Sequence, residues 1–186
     1  SASLFLVKNI FSILTTVFTL IAANLYPLYP TQLSLLGAFT IGTPAFVLAL
    51  QPNKELIRGD FLVNVILKAL PAGLADFIML AAISIHGNIL GMSNEQISTV
   101  AIVILLFIGL AALVRICRPF DGIRILLCLA MAAGIVICVL NFKGIFAIAT
   151  VNMIMLRMII MYALIAGALF LSLIHISEPT RPEPIS

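Results

Sequence analysis

Gly37, Thr40, Gly42, Thr43 and Pro44 stand in the middle of an apolar run, QLSLLGAFTIGTPAFVLALQPN at residues 32–53, where a plain lipid-crossing helix would carry Leu or Val. Proline inside a helix frees a carbonyl one turn back, and glycine lets a neighbouring backbone or an ion come close. With threonine hydroxyls beside them, these are the parts from which interrupted membrane helices build an ion site at the depth of the bilayer. A Pro-kinked packing helix with no site accounts for the same residues equally well.

Two further groups of polar residues lie in apolar surroundings. Lys8, Ser12, Thr15, Thr16 and Thr19 recur at three- and four-residue steps within residues 4–24, so they form a stripe on one helical face that wants a partner helix or water; Asn9 lies beside it. Lys68 and Asp76 fall within residues 61–85 together with Pro71. An ionisable residue inside a crossing marks a site by default, and a spacing of eight is expected to turn both toward the other helices. The structural reading is that Lys68 snorkels to the interface while Asp76 pairs with a neighbouring helix. Arg157, near Asn152 at the start of the last apolar run, is expected to snorkel or pair with protein.

These residues need a membrane scaffold, and composition supplies one. The chain of 186 residues is 63% hydrophobic and 9% charged, with a mean hydropathy of +1.26, which places it among polytopic membrane proteins. A crossing takes roughly 20 apolar residues. Polar clusters divide the chain into about six such runs, at residues 4–24, 32–53, 61–85, 97–114, 125–140 and 149–171, which predicts an all-α bundle of six transmembrane helices with no sizeable soluble domain. Of these, residues 97–114 carry no charge and are expected to be scaffold facing lipid and neighbours. Small-residue patches at Ala132-Ala133-Gly134 and Ala166-Gly167-Ala168 suit close helix packing.

The connections read as follows. LYPLYPT at residues 25–31 is a Pro- and Tyr-rich turn with its tyrosines at the membrane interface, making the first two helices a hairpin. Residues 86–96 are expected to be a polar loop, with His86 solvated in it and the Gly87 and Gly91 pair outside any crossing. Lys54 and Arg58 follow the second helix, and Arg115, Arg118 and Arg124 flank the turn after the fourth; the opposite turns carry only Lys143. The positive-inside rule therefore places the N-terminal end of the chain in the cytoplasm. The net charge of +3 sits as single residues at helix ends, which explains it by topology and gives no nucleic-acid surface. Cys117, Cys128 and Cys138 have neither a CxxC nor a histidine at ligand spacing and read as free membrane thiols.

The two ends call for separate reading. Ser1-Ala2-Ser3 opens within an apolar run and lacks a secretory leader, as expected of a piece of a longer protein. Residues 171–181, LSLIHISEPTR, resemble a translated sequencing adapter. Residues 171–186 are accordingly expected to be an artefactual tail on a genuine membrane domain at residues 1–170, and His175, Glu178 and Glu183 receive no functional reading.

The chain resembles the C-terminal membrane half, fifth to tenth helices, of P-type (E1-E2) cation-transporting ATPases, calcium-pump-like members above all. Those carry approximately P-x-Q-L-x-x-x-N-x-x-T-D-G-x-P on the sixth helix. Here the run is Pro30-Thr31-Gln32-Leu33, Gly37 at the Asn, Thr40 at the Thr, Ile41 at the Asp, then Gly42 and Pro44. The frame is kept and two oxygen ligands are replaced, so ion number and identity do not carry over. The resemblance implies that the first helix joins a phosphorylation domain at its cytoplasmic end, that Asn9 and Ser12 lie where that helix contributes ligands, and that Lys8 is a fixed cation beside them. It further implies a transported cation, with Ca²⁺ the natural candidate, and a parent that uses ATP and Mg²⁺. The chain itself has no DKTG-like run and no Gly-rich phosphate loop, so it should hydrolyse no ATP alone. Its partners would be the cation, the lipid bilayer of the cell membrane and the remaining N-terminal part of the polypeptide. The alternatives are a self-contained secondary transporter working through Lys68 and Asp76, and a membrane subunit that transports nothing.

Overall fold

The computed structural model describes residues 2–51 and 61–177. The link holding Lys54 and Arg58, and the tail from residue 178 onward, lie outside the described residues. Among those described, six helices are long and apolar enough to cross a membrane, and their order agrees with the six runs expected.

The first crossing is α1 (Ala2–Ile21), followed by a single 3₁₀ turn at Ala23–Leu25. The second is broken: α2 (Pro30–Gly37) passes through one π-helical turn (Ala38–Gly42) into α3 (Thr43–Leu50). Pro44 explains the break, since it has no N–H to complete an α-helical bond to Thr40, and the Thr43 N–H reaches back to the Ala38 carbonyl instead. Then come α4 (Phe61–Ile89), α5 (Asn94–Ile116), α6 (Gly122–Asn141) and α7 (Met153–Ser177).

Local chemistry sets the helix starts. Pro30 opens α2, where a missing N–H costs nothing. Ser93 caps α5, its hydroxyl accepting from Gln96 N–H while the Gln96 side chain returns to the Ser93 N–H. Asp121 caps α6 through Arg124 N–H at 2.9 Å, and Asn152 caps α7 through Met155 N–H at 2.9 Å.

At the centre of the bundle stands α5, with 72% of its most apolar window buried, against 17% for α6 and α7. Of the expected surroundings, lipid and neighbouring helices, the lipid part is corrected: its lack of charge suits the middle of the bundle, where α4, α7 and the second crossing surround it. The longest contacts are those of α4 with α1, α5 and α7. Gly73 makes the first of them possible, because a Cβ there would stand 2.8 Å from Ile10 Cγ2. Polar ties cross the core as well. Gln32, fully buried, donates through Nε2 to Ser98 Oγ and to the Ala147 carbonyl, both at 3.2 Å, joining α2, α5 and the connection before α7.

Two readings of the connection after α4 are corrected. The helix runs on to Ile89, so His86 lies in its last turn, half-buried, with Nδ1 3.0 Å from the Tyr162 hydroxyl of α7. Gly87 is buried in the same turn, where a Cβ would meet Ile97 Cγ1 at 2.6 Å. Polar side chains at a helix end resemble loop residues until their partners on a distant helix are known.

Candidate functional site

A cavity of about 340 Å³ follows α1 between the π-turn of the second crossing, α4 and α5. Its wall on α1 runs from Leu4 to Thr19, a rise of roughly 22 Å at 1.5 Å per residue, and is polar from Lys8 onward along one stripe. The stripe of Lys8, Ser12, Thr15, Thr16 and Thr19 faces this space. Opposite it stand Gly37 and Thr40, and from α4 comes Asp76. Four of the candidate residues are thus brought together: Lys8, Ser12, Thr40 and Asp76.

The others lie elsewhere. Asn9 is exposed on α1 and does not line the cavity, and the same holds for Thr43 after the π-turn. Gly42 and Pro44 shape the break from behind without facing the space. Lys68 lines a different cleft, between α4, α5, α6 and α7. The expected shared face of Lys68 and Asp76 is therefore corrected: eight residues turn a helix roughly 80° past two full turns, enough to send one side chain to each cavity.

Hydrogen bonding fixes what the hydroxyls offer. Thr15 Oγ1 donates to the Phe11 carbonyl at 2.8 Å, Thr16 to Ser12 at 2.7 Å, Thr19 to Thr15 at 3.0 Å and Thr40 to Leu36 at 2.6 Å. Each hydroxyl has one hydrogen and two lone pairs. With the hydrogen committed to the preceding turn, each presents acceptor electrons alone to the cavity.

Asp76 supplies the acid. Its residue is 4% exposed, and Oδ1 has no hydrogen-bond partner among the described residues. A buried carboxylate oxygen without a partner is costly, and intramembrane acids persist where they serve a pathway. The cavity thereby combines one carboxylate with several neutral oxygen acceptors, the donor set of hard cations. No cluster of three or more His, Cys, Asp or Glu side chains able to hold a metal is found among the described residues, so most oxygens in any such site are neutral.

The sequence reading left out one residue that shapes the site. Gly109 on α5 lines the cavity behind Thr40, and a Cβ there would lie 2.6 Å from Thr40 Cγ2. A lone glycine in an apolar helix carries no signal of this without its neighbour.

The fold and cavity are those of a multi-pass membrane protein with a cation-suited polar space between its helices. Comparison with known proteins gives the kind of protein. The chain is 31% identical to the probable cation-transporting ATPase exp7 of Streptococcus pneumoniae over 141 residues, covering 72% of this chain and 18% of that protein. It is 34% identical over 150 residues to the calcium-transporting ATPase CtpE of Mycobacterium bovis, covering 73% and 19%, and 31% identical over 140 residues to CtpE of Mycolicibacterium smegmatis, covering 68% and 18%. The chain thus spans a little under a fifth of the length of the curated relatives it matches. No protein-family model matches it, and no solved structure matches it significantly. Over the matched residues the chain is a homologue of P-type cation-transporting ATPases, the family that the run from Pro30 to Pro44 resembles.

Proposed function

We propose that this chain is the membrane portion of an ATP-driven cation pump, and that the cavity along α1 is part of the cation's path. The observation that carries the reading is that Asp76, whose Oδ1 has no hydrogen-bond partner among the described residues, lines one cavity with hydroxyls whose hydrogens are already committed. The acceptor electrons of those hydroxyls and the acid of Asp76 face a cation, and Lys8 is the one basic side chain on the same wall among the described residues. Ca²⁺ is the cation we assign, on the printed names of the CtpE relatives and on its liking for all-oxygen coordination. Lys8 provides the counter-charge to Asp76 when the cation has left.

In this reading residues 1–170 form the membrane domain and residues 171–186 are foreign to it. The N-terminal end of α1 faces the cytoplasm, where the movements of a phosphorylation domain would reach it. ATP and Mg²⁺ belong to the rest of the parent, which would supply the aspartyl nucleophile and the nucleotide pocket. The π-turn gives the path its give: a crossing interrupted at Ala38–Gly42 can shift in two halves around Thr40.

The test is uptake of ⁴⁵Ca²⁺ by sealed vesicles carrying the protein encoded by the complete reading frame. The expected result is uptake that requires ATP. Uptake by this chain alone, driven by a pre-set ion gradient and indifferent to ATP, would instead identify a secondary transporter.

A further inference from the structure

The two halves of the broken crossing are packed into different cores. On the α2 side, Leu35 and Leu36 are buried in the main cluster with residues of α1, α4, α5 and α7. Past Thr40, Ile41 and Ala45 belong to a second cluster gathered where α5 ends, built with Leu113 and Cys117 of that end, Leu127 and Met131 from the first half of α6, and Leu4 of α1. The division falls at Thr40, which lines the cavity along α1.

A polar contact joins the same elements. Arg124, in the first turn of α6, is held on its own side by the turn between α5 and α6: Nη1 lies 3.2 Å from the Pro119 carbonyl and 3.5 Å from that of Cys117, and Asp121 Oδ2 stands 3.8 Å from Nε. The hydrogen on Nε goes across, donated to Gln51 Oε1 at 3.0 Å. Gln51 ends α3, where the backbone turns extended. The turn therefore sets the direction of the guanidinium, and the Nε bond joins it to the broken crossing.

We propose that Arg124 is a positioning residue of the cation path: its bond to Gln51 latches α3 in the arrangement that keeps Thr40 in the cavity with Asp76. The proposal rests on the reading of that cavity as part of a cation's path. The lever is short, since Thr43–Leu50 is eight residues long, roughly 12 Å at 1.5 Å per residue, and the π-turn at its far end is where the crossing can yield. A neutral acceptor suits a contact made and released in every transport cycle, because a carboxylate would hold the guanidinium about twice as strongly.

ATP hydrolysis by the complete pump, measured against Ca²⁺ concentration, tests this with changes at Gln51, which leave the contacts of Arg124 with its own turn in place. Gln51→Leu cuts the latch and should raise the Ca²⁺ concentration for half-maximal activity about fivefold, the effect of losing one ordinary hydrogen bond. Gln51→Glu gives the latch a charge and should lower that concentration while slowing the maximal rate several-fold, because release becomes the slow step. In an Arg124→Gln background both effects of Gln51→Glu should vanish. A Ca²⁺ dependence unmoved by either Gln51 variant, or Gln51→Glu effects that persist without Arg124, would overturn the proposal. Asp76→Asn in the same assay separates the two claims: if it alone shifts the Ca²⁺ dependence, the latch falls and the path stands, and if it shifts nothing either, the path falls and the latch with it.

Discussion

Gly109 of α5 and Thr40 of the π-turn fit against each other so closely that a single methyl on the glycine would stand 2.6 Å from Thr40 Cγ2. That contact holds the broken crossing against the most buried helix and keeps the Thr40 hydroxyl turned along the cavity. Gly109→Ala is expected to destabilise the bundle by about 1–3 kcal/mol, the usual cost of forcing extra atoms into a packed site. Thr40→Ser, which removes Cγ2, should recover most of that loss in the double variant. Thermal midpoints of the four proteins in detergent measure the coupling; additive losses would mean that the two residues do not touch.

Gln32 carries a different load. Its side chain donates to Ser98 Oγ and the Ala147 carbonyl and accepts at Oε1 from the Tyr29 N–H, tying three elements close to the bond from the Ala149 N–H to Thr99 Oγ1. Gln32→Leu removes all three and leaves a buried carbonyl short of a donor, so the expected loss is about 2–3 kcal/mol. Chemical denaturation followed by circular dichroism checks it, and a loss below 0.5 kcal/mol would show that the tie contributes nothing.

How much of this could be read beforehand differs from residue to residue. The crossings were legible because each is a long apolar run bounded by polar residues, and the interruption was legible because Gly42 and Pro44 cannot behave as ordinary helix interior. The stripe on α1 was legible from its three- and four-residue steps. Lys68 and Asp76 were assigned one face because the spacing of eight looks close to two turns, and only the neighbouring helices reveal that the remaining 80° separates two cavities. His86 was assigned to a loop because its partner, Tyr162, lies on a helix distant in sequence. Gln32 came into view through the resemblance alone, and its role depends on Ala147, which no local pattern connects to it.

Cys117 offers a test of the turn between α5 and α6. Burial pushes its thiol up to about 12, and the neighbouring Cys128 adds to the effect while Arg124 opposes it. The thiolate is the reactive form, so maleimide at neutral pH should leave Cys117 unlabelled in the folded chain and label it after denaturation. Reactivity should rise only as the pH approaches 12. Rapid labelling of Cys117 in the folded state, read by peptide mass spectrometry, would mean that the turn is open.

Thr16 and Asn9 lie two turns apart on one flank of α1, roughly 20° from each other, and Thr16 lines the cavity whereas Asn9 is exposed without lining it. Thr16→Leu in the complete pump should lower ATP-driven cation uptake several-fold by placing a methyl group where acceptor electrons faced the path, whereas Asn9→Leu should leave uptake within twofold of the parent. The reverse order would contradict the placement of the path along the wall that holds Thr16.

Asp76→Asn in the complete pump tests the assignment of the cation path most directly. The amide keeps the shape of the side chain and removes its charge. Measured as cation-dependent ATP hydrolysis against cation concentration, the variant should require at least tenfold more cation for half-maximal activity, the equivalent of about 1.4 kcal/mol. An unchanged concentration dependence, with the variant folded and its ATP hydrolysis intact, would contradict the claim that Asp76 meets the cation.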